Sequence, residues 1–283
     1  MKILVLGSSG MIGRTMFYIL AQRPDWQVIG SVREMAFKGT APGCVLAGID
    51  LTNQDHLESM FAQTHPEVVI NCAGLTKHHP EGNSPIPALA INALLPHRLA
   101  QLCEIVSARF IHVSTDCVFS GSVGNYNERA ATDATDVYGK TKALGEVAIG
   151  NAITLRTSTI GHELGTRFGL LEWFLAQEQC KGFRHAIFSG LPTVEFARVV
   201  RDVVIPNPSL RGLYHVGAEK IDKLSLLRLI ADVYRKDIDI DVDETFKIDR
   251  SLNSDKFLAA TGYRAPAWPE LIEAMYQDHV SRG

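Results

Sequence analysis

The chain has little net charge, 28 Lys and Arg against 31 Asp and Glu for a formal −3, so it carries no basic field of the kind that holds a nucleic acid. It has no hydrophobic run near the ~20 residues a membrane span needs. The apolar opening Met1–Leu6 stops at Gly7-Ser8-Ser9-Gly10 with no cleavage pattern after it, so neither an export leader nor a membrane anchor is expected. Cysteine is scarce. Cys44, Cys72, Cys103, Cys117 and Cys180 form an odd set with no C-x-x-C pair, which argues against a disulfide framework or a zinc site and fits a reducing, cytoplasmic setting. The pair His78-His79 reads either as a contact at the mouth of a site or as a solvated loop; no metal is expected. Repeats and low-complexity tracts are absent.

What is present is an alternation. Of the 283 residues, 46% are apolar, and over the first two thirds short apolar runs alternate with amphipathic stretches, the pattern of a parallel sheet wrapped by helices. Strands are expected at Ile3–Leu6, Gln27–Val32, Val45–Ala47, Val68–Ala73, Phe110–Ser114 and Ala152–Arg156. Helices are expected at Met11–Gln22, Gln54–Gln63, about Pro87–Ser107, and from Val137. Beyond residue 157 the pattern loosens, with helices at Gly169–Gln179, Lys223–Tyr234 and Trp268–Gln277 and short strands at Gly212–Val216 and Ile238–Val242. The fold class expected is α/β: a Rossmann-type doubly wound parallel sheet over residues 1–157, receiving part of 187–205, with a smaller C-terminal α/β substrate-binding lobe in 158–283.

The first strand runs straight into Gly7-Ser-Ser9-Gly10-Met11-Ile12-Gly13 and a helix. Such a turn brings a pyrophosphate to free N–H groups at a helix start, where the dipole favours negative charge. The spacing is GxxGxxG rather than GxGxxG, and a glycine-rich turn can also be plain geometry. The second strand ends in Ser31-Val32-Arg33, where an NAD-specific protein usually has an acid for the ribose 2′-hydroxyl. Arg33 suits a 2′-phosphate, and NADPH over NADH, or is a solvated cation; NADH stays admitted. Asp50-Leu51 reads as an adenine edge or a helix cap. Asn71-Cys72-Ala73-Gly74 is a small-residue strand exit against which a cofactor can lie.

Ser114-Thr115-Asp116-Cys117 closes the fifth strand, and Tyr138-Gly-Lys-Thr-Lys142 enters a helix. Residues four apart share a helix face. Reducing a ketone by hydride requires a proton on its oxygen; a Tyr of ordinary pKa roughly 10 gives it more readily when an ammonium favours the phenolate. Lys142 would supply that field and hold the nicotinamide ribose, while Thr115 would align the carbonyl. Each motif alone is common by chance; both in this order, downstream of a glycine turn, are not.

With GSSGMIG, PEVVINCAG, INALLPHRLA (holding Asn92), HVSTDCVFSG, GNYNE, VYGKTKALGE, LRTS and GLPTVEFARVV, the chain resembles the extended short-chain dehydrogenase/reductases, and among them the dTDP-4-dehydrorhamnose reductase group, over residues 1 to about 200. The resemblance implies Thr115, Tyr138 and Lys142 as catalytic residues. It implies a cofactor site of Gly7, Ser9, Gly10, Met11, Ile12, Gly13, Arg33, Asp50, Leu51, Asn71, Cys72, Ala73, Gly74 and Ser114, with Arg156 near it. It also implies NADPH-dependent reduction at C4 of a nucleotide-linked 4-keto-6-deoxy sugar for surface polysaccharide. Asp116, Cys117, Trp173 and Arg250 are the substrate-side candidates, Arg250 as a fork for a diphosphate; Trp173 equally suits a core position and Arg250 a solvated charge.

Departures from the group are Cys117, where Tyr is common, and the loop Lys77–Pro87. Related dehydratases use an Asp-Glu pair after the Thr, which Asp116-Cys117 lacks. An epimerase, and a non-catalytic NADP-binding regulatory subunit like that of methionine adenosyltransferase, remain as alternatives. The helical faces Pro96–Cys103 and Lys142–Val147 permit a homodimer.

Overall fold

Ile3, Leu4, Val5 and Leu6 are fully buried because their strand, β1 (Lys2–Leu6), lies in the middle of a sheet covered on both faces. The computed structural model of the chain describes residues 1–34, 43–77, 79–165 and 167–282. From β1 the chain passes through α1 (Met11–Ala21), β2 (Gln27–Ser31), β3 (Cys44–Leu46), α2 (Gln54–Thr64) and β4 (Val68–Asn71). There follow α3 (Pro85–Ala88), α4 (Leu95–Ile105), β5 (Arg109–Thr115), α5 (Val137–Leu144), β6 (Ala152–Thr157) and β7 (Thr159–Ile160). The last third holds α6 (Leu170–Leu175), β8 (Gln179–Phe188), β9 (Leu191–Pro192), α7 (Thr193–Val199), β10 (Gly212–His215), β11 (Ile221–Asp222), α8 (Lys223–Tyr234), β12 (Asp239–Asp249), α9 (Asp255–Thr261) and α10 (Trp268–Arg282).

The large sheet has the order β10-β6-β5-β4-β1-β2-β3 and every pairing in it is parallel. Alternate residues of β1 face opposite ways. Ile3 and Val5 join the apolar side chains of α1, α7 and α10, while Leu4 and Leu6 join Leu57, Met60 and Phe61 of α2 and Leu95 and Leu99 of α4. This is the doubly wound architecture that the alternation predicts. The strand order reverses between β1 and β4, which opens a crevice at their C-terminal ends. Elements beyond residue 157 return to this body: β10 is its outer strand beside β6 and α7 packs on α1.

Three expectations change. The helix expected over Pro87–Ser107 begins at Pro85 and is not uniformly wound; Leu89–Leu94 forms a π-turn between α3 and α4. Pro96, which has no N–H to donate back to Asn92, explains the widened turn. The helix expected over Gly169–Gln179 ends at Leu175. The chain then enters β8, which pairs with β11 and, in parallel, with a β12 much longer than the expected Ile238–Val242 strand. Gln179, Lys181, Arg184 and His185 give β8 a polar side. Its Gly182 is needed because a Cβ there would come within 2.6 Å of Leu224 Cδ1.

Candidate active site

The glycine turn closes on itself. Gly7 has φ +74°, and a Cβ on it would come within 2.9 Å of the Ala73 backbone, so the β1 exit lies directly against the β4 exit. A Cβ on Gly13 would overlap the carbonyl oxygen of Gly7, which lets α1 start tight under the strand. Ser8 is buried, its hydroxyl donating to Val5 O at 2.8 Å and its N–H to Ser31 O at 3.0 Å. Ser9 and Gly10 are exposed and Met11 and Ile12 half-buried. Gly10, the N-cap of α1, supplies no side-chain cap, and no acid stands in the first turn. The cradle therefore fits a dinucleotide: small, open over the turn, with uncapped N–H groups and no competing carboxylate.

At the ribose end Arg33 is exposed and lies 3.9 Å from Glu81. The Thr52 side-chain and backbone hydrogen bonds hold the Asp50 carboxyl below its ordinary range, with a smaller contribution from the Arg33 charge. Asp50 takes the Thr52 N–H at 2.9 Å and hydroxyl at 2.7 Å. The cap of α2 is Asn53, whose side chain accepts from Asp55 and His56. Leu51 packs into the core beneath α2 and α4.

Asn71 is buried, accepting from Ala73 N–H at 3.1 Å and meeting His112 Nδ1 at 3.2 Å. Burial pushes the half-exposed Cys72 thiol up to about 12. Gly74 is open to solvent. The π-turn places Asn92, fully buried, against the next residue along. Its amide grips Leu75 on both sides, accepting from Leu75 N–H and donating to Leu75 O, both at 2.9 Å, and also donates to Thr141 Oγ1 at 3.2 Å. One side chain thus ties the β4 exit to α5.

On α5, Asp136 caps the helix through Gly139 N–H at 2.8 Å. Gly139 is required because a Cβ there would overlap the Cys117 carbonyl. Tyr138 is thereby held against Thr115, whose hydrogen bond favours the phenolate. Burial outweighs that bond, and Cys117 and Asp116 add to it, so the phenol is kept firmly protonated. Thr115 Oγ1 accepts from Cys117 N–H at 3.1 Å and donates to Asp116 at 3.2 Å. The Lys142 ammonium, expected to bias Tyr138, donates to Val113 O at 2.8 Å. Its burial lowers it to about 8 against the opposing pull of Glu146 and Cys72.

Glu146 was not singled out by sequence reasoning, although its place four residues after Lys142 was a usable signal. It accepts from Ser114 Oγ at 2.7 Å and from Arg156 Nε at 2.7 Å and Nη2 at 2.6 Å. The Ser114 hydroxyl, expected at the cofactor, is therefore committed to Glu146. Arg156 is committed likewise: it stacks over Phe119 at 5.1 Å and meets His215 Nε2 at 3.2 Å.

On the substrate side Asp116 is buried; burial raises its carboxyl against the pull of Arg250 and Lys223. Cys117 is pushed up to about 12, burial leading. Arg250 donates to Phe119 O at 2.9 Å and reaches Cys117 Sγ at 3.6 Å, which places it at the site rather than in solvent. Trp173 is 38% exposed on α6, so it is not a core residue. Lys223, at the start of α8, had no signal in the sequence. His78 lies outside the described residues; His79 caps a short turn through Glu81 N–H at 3.2 Å. Among the described residues no group of three or more His, Cys, Asp or Glu could hold a metal, and no helix is long and apolar enough to cross a membrane.

The family described as "RmlD substrate binding domain" matches residues 1–279. A dTDP-4-dehydrorhamnose reductase of Streptomyces griseus is 36% identical over 148 residues, 52% of this chain and 44% of that protein. The chain spans about half the length of this and the next several curated relatives it matches. Methionine adenosyltransferase 2 subunit beta of Xenopus laevis is 24% identical over 82% of this chain and 72% of that one. Among solved structures, a dTDP-4-dehydrorhamnose reductase from Bacillus anthracis in complex with NADP superposes with a TM-score of 0.82 at 20% identity, covering 98% of this chain and 99% of that one. It shares the fold.

Proposed function

The chain belongs to the RmlD substrate binding domain family, and from that premise we propose that it is an NADPH-dependent reductase of the C4 ketone of a nucleotide-linked 4-keto-6-deoxy sugar, serving deoxy-sugar and polysaccharide synthesis in the cytoplasm. The observation that carries the reading is the convergence of Thr115, Tyr138 and Lys142 at the C-terminal end of β5, on the same edge of the sheet as the glycine cradle. A relative named for this reaction and a neighbour of the same fold in complex with NADP support it.

A reduced nicotinamide, when bound, supplies the hydride. The remaining chemistry falls to side chains. Gly7, Gly10 and Gly13 leave room for the pyrophosphate at the start of α1, with Ser9, Met11 and Ile12 beside it, and Arg33 receives a 2′-phosphate near Asp50 and Leu51. Asn71, Cys72, Ala73 and Gly74 form the floor. Thr115 orients the ketone oxygen. Tyr138, held neutral by its surroundings, is a stored proton for that oxygen. Lys142 compensates the charge left on Tyr138 as the proton departs. Asp116, Cys117 and Arg250 border the sugar, and the exposed Trp173 offers a ring on which a base or sugar can stack. A homodimer through the helical faces Pro96–Cys103 and Lys142–Val147 belongs to the same proposal and is read by sedimentation.

The test is NADPH oxidation with 4-keto-6-deoxy sugars made in situ from dTDP- and UDP-linked precursors, comparing the wild type with Tyr138→Phe. Turnover that falls roughly 100-fold or more in the variant supports the reductase. No turnover on any ketosugar, with cofactor bound, overturns it. A second reading, a non-catalytic regulatory subunit, is favoured by the long alignment with a methionine adenosyltransferase subunit. Stable co-purification with another enzyme and no turnover would select it.

A further inference from the structure

Lys223 is the first residue of α8 and stands where the C-terminal lobe meets the end of β5. Its ammonium sits 4.4 Å over the Phe188 ring. Among the described residues it has no hydrogen-bond acceptor and no carboxylate within ion-pair distance. The N-terminus of α8 is already capped: Asp222 accepts from Ser225 N–H at 2.9 Å and from its hydroxyl at 2.7 Å. The side chain of Lys223 is thus left over, facing Asp116, Cys117 and Lys77.

The charges around it do not balance. Arg250 and Lys223 act on the buried Asp116, Arg250 also acts on Cys117 and on the exposed Asp133, and Lys77 acts on Cys117 and Lys223 from the loop after β4. Three cations face one buried carboxylate and one exposed one, which leaves a positive surplus in a partly desolvated space, a costly arrangement unless an anion completes it. Arg250 spends its Nε on Phe119 O and one amino group on Cys117, leaving its second amino group for a ligand.

We propose that Lys223, with Arg250 and Lys77, forms the subsite for the diphosphate of the nucleotide-linked substrate, across from Asp116 and Cys117. The proposal rests on the nucleotide-sugar reading above. A sugar nucleotide carries one negative charge on each of its two phosphates at neutral pH, of the sign that the surplus attracts. The oxygens give Lys223 the acceptors it lacks, and the Arg250 fork suits phosphate geometry. Burial has lowered Lys223 to about 8, so it is charged and able to bind below that pH, and affinity falls as pH rises through it.

The test is calorimetric titration of the full chain with dTDP-glucose and UDP-glucose, which carry the diphosphate but no ketone, with thymidine and uridine as controls. At pH 7, Lys223→Met is expected to weaken nucleotide-sugar binding at least tenfold and Lys223→Arg to retain most of it. Wild-type affinity is expected to fall between pH 7 and 9, and that of Lys223→Arg to stay level. Affinity of Lys223→Met within twofold of wild type, or wild-type affinity that is level over the same pH range, overturns the subsite. Should Lys223→Met fail to fold, the wild-type and Lys223→Arg pH series decide alone. Lys223-dependent binding in a chain that reduces no ketosugar supports the subsite and overturns the reductase. Ketosugar turnover with Lys223-independent binding does the reverse.

Discussion

Glu146 and Arg156 meet in a two-point ion pair at 2.7 and 2.6 Å, with side chains only 11% and 4% exposed. The pair joins β6 to the end of α5 and, through Ser114, to β5 one residue before Thr115. Breaking one half of such a pair strands the other charge. Glu146→Gln is expected to lose about 3–5 kcal/mol of stability in urea unfolding, and Glu146→Gln with Arg156→Met to recover much of it. A single variant as stable as the wild type would show that the pair does not hold this junction.

The pH dependence of turnover follows from Lys142. Its pKa is lowered to about 8 and Glu146 pulls it upward, so the charged form persists below that pH and is lost above it. Activity is expected to fall through pH 8 on the alkaline side. In the double variant lacking Glu146 the pKa drops further and the limb moves to lower pH. The kcat/KM profile reads both; a limb that does not move assigns it to another group.

Gly13→Ala places a methyl on the Gly7 carbonyl and forces the start of α1 away from β1. The expected outcome is a cost of about 1–3 kcal/mol and NADPH affinity weakened at least tenfold by fluorescence titration. Unchanged affinity would move the pyrophosphate away from this turn.

Asn92→Ala removes three hydrogen bonds and leaves both Leu75 backbone groups unpaired in the interior. Denaturation should show a loss of about 1–3 kcal/mol. kcat should fall more than NADPH affinity, since α5 carries Tyr138 and Lys142.

The central sheet was legible because β1, β4 and β5 are apolar runs ended by glycine or small residues, and burial on both faces demands such runs. β8 was not: its polar face and mid-strand Gly182 erase the apolar run, and its partner β12 lies more than fifty residues on. Tyr138 and Lys142 were legible as a helical pair and Thr115 as a strand end. The direction of the Lys142 ammonium, toward Val113 O, depends on burial that no spacing encodes. Lys223 reaches the site only because α8 begins where β5 ends in space, a tertiary fact with no local mark.

The thiols bear on how the protein can be handled. Burial keeps Cys72, Cys103 and Cys117 protonated to about pH 12, and Cys180 is buried and shifted the same way. A thiol reacts as its thiolate, so alkylating reagents at neutral pH should leave these four untouched. Cys44, at the start of β3 and exposed, is then a natural single attachment point. A dye placed there, on the strand beside β2, would sit close enough to the Arg33 end of the crevice to report ligand arrival without any engineered residue.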